Sequence, residues 1–206
     1  DPPEPPAPPS PPPLTEIRGY YQWTWSTGSN GPPNPNVPIS FSGWWNPTDA
    51  LYAITGDGGN YLPLVGDIPM LSLGGGNYNG QFFLSRIQDL TSGPASICNV
   101  VPSDEYKGIM FDIEELLGPS ATMIPAVEAC FAAVKACGFM VALTTSHSAP
   151  YHTDTPQDAV DFVLAWAADP KIDILSPQLY TSGYETAPDF ALSSSCSPSC
   201  SWDLWK

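Results

Sequence analysis

Basic residues are scarce in this chain. Its 206 residues include six Lys and Arg against 21 Asp and Glu, a formal net charge of −15. A field of that sign repels phosphate backbones, which excludes nucleic acid as an expected partner. A neutral polysaccharide would be indifferent to it, and the charge also serves solubility alone. Long apolar runs are lacking too. No stretch of about 18 consecutive apolar residues occurs, so no membrane-spanning helix is expected. The chain has two histidines. His147 and His152 flank a Pro-Tyr pair with no third ligand at a sensible spacing, so they read as loop residues, and no metal or other cofactor is expected. No internal repeat is visible, and no signal peptide. The opening at Asp1 reads as that of a mature, processed product.

Cysteines number five. Cys196 and Cys200 sit in a Ser/Pro-rich stretch and read as a local disulfide. Zinc is the rival, but no second Cys or His pair is spaced to complete four ligands. Cys130 and Cys137 lie about two helical turns apart, so an intact helix keeps them from bonding to each other. One of them is expected to meet Cys98, which leaves an odd cysteine. Buried reduced thiols are the alternative.

What is abundant is proline, 26 residues. Residues 1–13, DPPEPPAPPSPPP, form a tail that favours polyproline II, rising about 3.1 Å per residue. The tail has no apolar face to bury. Any order in it must come from a neighbouring chain, a groove, or sugars on hydroxylated prolines and Ser10. Its composition resembles the hydroxyproline-rich stalks of wall glycoproteins, which implies self-assembly or wall glycoprotein partners; the plain alternative is a linker.

The domain, residues 14–206, shows short apolar runs at roughly regular spacing. Strands are expected at 17–23, 50–54, 68–73, 108–113, 140–144 and 174–180, each buried on both faces as in a parallel sheet. Helices are expected at 79–90, at 121–136 with Gly138 as its stop, and from Pro156 to about 168 with Thr155 as N-cap. Residues 25–49 show no helical period, and the connections there and between 54 and 68 read as loops. Alternating strands and helices predict an α/β fold, a parallel (β/α)8 TIM-type barrel with about six strands evident. A closed barrel needs eight. Either the chain is truncated at its C-terminus or a neighbour completes it.

Chemistry concentrates on the fourth strand, Lys107-Gly-Ile-Met-Phe-Asp-Ile-Glu114. Asp112 and Glu114 are two apart, so both point to one side. At the C-terminal end of a barrel strand that side faces the mouth. Two close carboxylates repel, so one holds its proton more tightly. A protonated carboxyl beside an ionised one is equipment for cleaving a glycosidic bond. A solvated acidic strand end is the plain alternative. Aromatics raise the same choice between core and sugar stacking. Tyr21, Trp23 and Trp25 lie at a strand end expected to open at the mouth. Trp166 reads as core, and Trp44 and Trp45 fit either role.

Three segments together carry a resemblance. The third strand ends Leu71-Ser-Leu-Gly-Gly-Gly76, the fourth carries Gly108, Asp112 and Glu114, and the sixth ends Ser176-Pro-Gln-Leu-Tyr180. In this order and spacing they resemble the family 18 glycoside hydrolases, the chitinases, nearest to the plant hevamine type. The first motif is filled by Ser72, Gly74 and Gly75. Two positions depart from the family pattern: its first Asp is Lys107 here, and its middle Asp is Met110.

The resemblance implies substrate-assisted hydrolysis of β-linked N-acetylglucosamine polymers. Glu114 would protonate the leaving oxygen while the substrate's own N-acetyl carbonyl attacks the anomeric carbon. Asp112 would orient the acetamido group, and Tyr180 would donate to its carbonyl oxygen. Gln178, Tyr21, Trp23, Ser72, Gly74 and Gly75 would line the substrate site. The family's middle Asp helps its neighbour turn toward the substrate, and Met110 cannot do so. The alternative is therefore a non-catalytic, carbohydrate-binding or structural subunit of a wall, matrix or filament. Either way, a secreted protein at the cell surface or wall is expected.

Overall fold

The computed structural model describes residues 16–25, 33–56, 64–145 and 151–178. Among these, six parallel strands form one curled sheet: β1 (Gly19–Trp23), β2 (Val37–Phe41), β3 (Met70–Gly74), β5 (Gly108–Ile113), β7 (Met140–Thr145) and β8 (Ile174–Pro177). Each strand pairs with the next in chain order. That succession is how a TIM-type barrel is wound, and the six strands make an open half-barrel. A two-stranded parallel pair, β4 (Phe82–Phe83) and β6 (Leu116–Leu117), stands apart from it. Five helices complete the described elements: α1 (Pro47–Thr55), α2 (Leu84–Thr91), α3 (Ile97–Val100), α4 (Ser120–Ala136) and α5 (Pro156–Ala168).

The expected strand at 50–54 is instead the helix α1. Its signal is plain in retrospect. Asn46 caps the helix, accepting from the Thr48 and Asp49 amides, and Pro47 takes the first turn. Pro47, Ala50 and Ile54 are the buried positions, a helical spacing rather than an alternating one. The strand of this unit is β2, inside the stretch expected to be loop. Its sequence Val-Pro-Ile-Ser-Phe hides behind Pro38. That proline lies one residue before pairing with β3 begins at Ile39, where a missing N–H costs the ladder little. The two errors offset each other, so the strands at 68–73, 108–113 and 140–144 keep their places as third to fifth. The sixth begins at Ile174 as expected, and its described part ends at Pro177. The helix expected at 79–90 starts later, at Leu84, because β4 occupies its first turn.

Two helix ends follow their sequence signals. Thr155 caps α5, its side chain accepting from the Asp158 amide. Gly138 follows α4 with φ of 86°. There the Gly138 amide donates to the Lys135 carbonyl and the Phe139 amide to the Val134 carbonyl, the paired closure that favours glycine at this position.

Register separates the two faces of the sheet. The outer face, with Leu71, Leu73, Ile109, Phe111, Val141 and Leu143, packs under the helices. Phe111, Phe131 and Trp166 follow one another edge to face at 5.0 and 5.7 Å, and Phe162 stacks on Trp166 at 5.9 Å. Trp166 is core, as expected. The inner face carries a separate apolar cluster that includes Val37, Ile39, Met70, Met110, Met140 and Ile174. On β3, β5, β7 and β8 this apolar floor gives way toward the C-terminal end to Ser72, Asp112, Thr144 and Ser176.

A disulfide joins Cys98 to Cys137 and ties α3 to the end of α4, while Cys130 stays a buried thiol. This resolves which partner Cys98 takes. The expected pair Cys196 and Cys200 lies outside the described residues, as do the tail at 1–13, Tyr180 and His147. No helix among the described residues is long and apolar enough to cross a membrane.

Candidate active site

The polar end of the inner face gathers Asp112, Glu114 and Gln178. Gly74, Asp112, Thr144 and Ser176 share one register row across β3, β5, β7 and β8. Glu114 follows one step beyond Asp112 on the same side. The amide nitrogen of Gln178 donates to Asp112 Oδ1 at 3.1 Å and to Glu114 Oε1 at 3.3 Å. One side chain just past the end of β8 thus bridges both carboxyls at the end of β5.

Burial splits the two acids. Asp112 is 3 % exposed and Glu114 is half-buried. Loss of water pushes the Asp112 carboxyl up to about 8, the Glu114 charge adds to the rise, and the Gln178 hydrogen bond opposes it. At neutral pH Asp112 therefore carries a proton. The pair expected from sequence is present, and burial falls on Asp112 more than on Glu114.

The glycines of the third strand are shaped around these acids. Gly74 has φ of 108°, and a Cβ there would strike the Asp112 carbonyl and the Phe82 ring. Gly75 has φ of 133° and lies against the Phe41 ring. A Cβ on Gly76 would stand 2.6 Å from Glu114 Oε2. The backbone at 76 thus closes on the Glu114 carboxyl, and a side chain there would push that carboxyl aside. The run of three glycines was the available signal for this third contact.

Ser72 and Met110 face each other in register on the inner side, one row below Gly74 and Asp112. Both are buried, and the Ser72 hydroxyl has no hydrogen-bond partner among the described residues. Met110 packs with the apolar floor. Nothing polar from position 110 reaches Asp112.

Tyr21 and Trp23 lie on the same inner side at the open edge strand, in register with Ile39 and Phe41. They are 38 % and 48 % exposed. Trp25 is 59 % exposed and packs on Trp23 and Phe41, each at 5.6 Å between ring centres. Through Phe41 this aromatic group touches Gly75. Trp44 and Trp45 are half-buried against the core, and Trp45 faces the guanidinium of Arg86 at 5.0 Å.

His152 has a structural place that sequence reasoning missed. Its amide donates to the Glu114 carbonyl at 2.7 Å, its carbonyl accepts from the Leu116 amide at 3.0 Å, and its ring stands 3.9 Å from Glu115. It extends the β4–β6 pair and braces the chain just after the candidate acid. No group of three His, Cys, Asp or Glu among the described residues is arranged to hold a metal ion.

No protein-family model matches the chain, and no curated protein matches it in sequence.

Proposed function

We propose that the chain is a secreted glycoside hydrolase of the chitinase type, acting on β-linked N-acetylglucosamine polysaccharide with retention of configuration. The observation that carries the reading is the bridged pair. A buried Asp112, its carboxyl pushed up by loss of water, stands beside the more exposed Glu114 at the C-terminal end of a half-barrel sheet, and Gln178 holds both.

The division of labour follows from burial. Glu114 is the group within reach of solvent and substrate; the one proton that the pair holds passes from Asp112 to Glu114 and from there to the leaving oxygen. Asp112, ionised once that proton has passed, accepts from the acetamido N–H and keeps the acetamido carbonyl turned to the anomeric carbon. The acetamido carbonyl attacks, the glycosidic bond breaks, and the resulting cyclic intermediate is opened by water that Glu114 deprotonates. Tyr180, two residues beyond Gln178, is assigned the hydrogen bond to the carbonyl oxygen where charge develops. Tyr21 and Trp23 offer exposed ring faces for sugar stacking. The disulfide suits an oxidising, extracellular setting. The test is the anomeric form of the first product from a β-linked N-acetylglucosamine oligomer, followed by proton NMR. The β anomer is expected, and the α anomer would reject the mechanism.

Met110 favours a second reading, a non-catalytic relative that binds the same polymer. Its buried thioether leaves Asp112 without a second carboxyl partner. On that reading sugar binding persists with no turnover, and the Pro-rich tail connects the domain to a wall or matrix assembly.

A further inference from the structure

The loop between β3 and β4, residues 75–81, touches the candidate acid and turns on itself through Asn77, whose amide donates to the Gly75 carbonyl, whose carbonyl accepts from the Gly80 amide and whose Oδ1 accepts from the Asn79 amide. Three of its seven residues are glycines, which cost the most backbone freedom to fix. One end walls Glu114 through Gly76. The other end reaches Glu115: Gln81 Nε2 donates to Glu115 Oε2 at 2.5 Å, and the Phe82 amide to the Glu115 carbonyl at 3.0 Å. Position of the acid and position of this loop are therefore one problem.

Two further ties fasten the loop to its surroundings. The first runs to the segment before α1, where Asn77 Nδ2 donates to the Gly43 carbonyl at 3.1 Å and the Trp45 amide donates to the Asn79 carbonyl at 2.9 Å. The second is Arg86, on α2. Its Nη1 donates to the Gln81 carbonyl at 2.6 Å and the Tyr78 carbonyl at 3.2 Å. Its guanidinium is itself fixed by three rings, Phe83 at 4.4 Å, Trp45 at 5.0 Å and Tyr78 at 5.8 Å from their centres. This placement takes one of the chain's six basic residues partly out of water, which lowers its pKa.

We propose that Arg86 is a positioning residue for Glu114, clamping the glycine-rich loop so that its backbone stays against that carboxylate. The proposal rests on the reading of Glu114 as the acid. A lysine would not replace it, because a compact ammonium lacks the planar face that stacks against the three rings.

The experiment uses the full chain with Arg86→Ala and Arg86→Lys, and with Arg86→Gln should alanine fail to fold. Thermal unfolding establishes that each variant is folded. Turnover of N-acetylglucosamine oligomers then gives kcat and KM. A misplaced acid is felt in the transition state alone, so kcat and kcat/KM should fall together by about 100-fold with KM unchanged. Lysine should not restore kcat, whereas millimolar guanidinium added to the alanine variant should, and methylammonium should not. A second readout needs no turnover. Carboxyl-carbon NMR of Asp112 should show its acid dissociation constant rising about tenfold in the variants, as the loosened loop admits water to the pair. Wild-type kcat and unchanged Asp112 titration in a folded variant overturn the proposal, and so does full rescue by lysine. If the wild-type chain itself fails to turn over, the functional reading falls, and the Asp112 titration alone decides the role of Arg86.

Discussion

Replacing Asp112 with Asn isolates the cost of the buried pair, because the amide keeps the shape and the bond to Gln178 without a titrating proton. In the unfolded chain an aspartate ionises near its ordinary value of 3.8, and in the fold burial raises Asp112 to about 8. The folded state therefore binds the proton more tightly. Below pH 4 both states are protonated and the site's contribution to stability is fully present. As pH rises through the window from about 4 to about 8 the unfolded chain gives up its proton first, and wild-type stability falls. At about 1.4 kcal/mol per pH unit, the loss amounts to several kcal/mol above pH 8. Asp112→Asn escapes this loss. Urea unfolding of both proteins from pH 4 to 8.5 should give a stability difference near zero at pH 4 that grows in favour of the variant. All other titrating groups are common to both proteins and largely cancel in the difference. Parallel curves would refute the reasoning, since they would mean that Asp112 ionises as easily in the fold as out of it.

Met110→Asp should raise turnover if the missing carboxyl partner limits the enzyme, since it brings a proton-sharing group beside Asp112 and the unpartnered Ser72 hydroxyl. The same change puts a charge into the apolar floor, so the melting temperature should drop while kcat rises, and steady-state kinetics with thermal unfolding check both. Cys98→Ser removes a cross-link between residues 39 apart in sequence. It should cost about 4 kcal/mol of stability by loop entropy, read as a lower urea midpoint that matches the wild-type chain under reducing conditions.

Most of the half-barrel was legible in the sequence because buried parallel strands and capped helices advertise themselves locally. The run at 108–113 is buried on both faces and became β5 unchanged. Thr155-Pro156 and Gly138 marked helix ends through backbone chemistry that needs no tertiary context. The first unit failed for a local reason as well: Leu-Tyr-Ala-Ile reads as a strand unless Asn46-Pro47 is weighed as a cap, and Pro38 conceals β2. The acid pair was legible because a spacing of two on a strand fixes a shared side. Which acid keeps the proton was not, since that depends on burial supplied by neighbouring strands. Arg86 gave no signal at all. Its role arises from carbonyls and rings that only the fold brings together.

The central claim is that Glu114 is the acid of a polysaccharide-cleaving site. Release of soluble oligosaccharides from insoluble chitin, by the full chain and by Glu114→Gln side by side, tests it most directly. The amide keeps the bond from Gln178 and the shape against Gly76 but has no acidic proton to donate. The account predicts release by the wild-type chain and none by Glu114→Gln, with both retained equally on chitin. Equal release by the two proteins, or none by either, would contradict it.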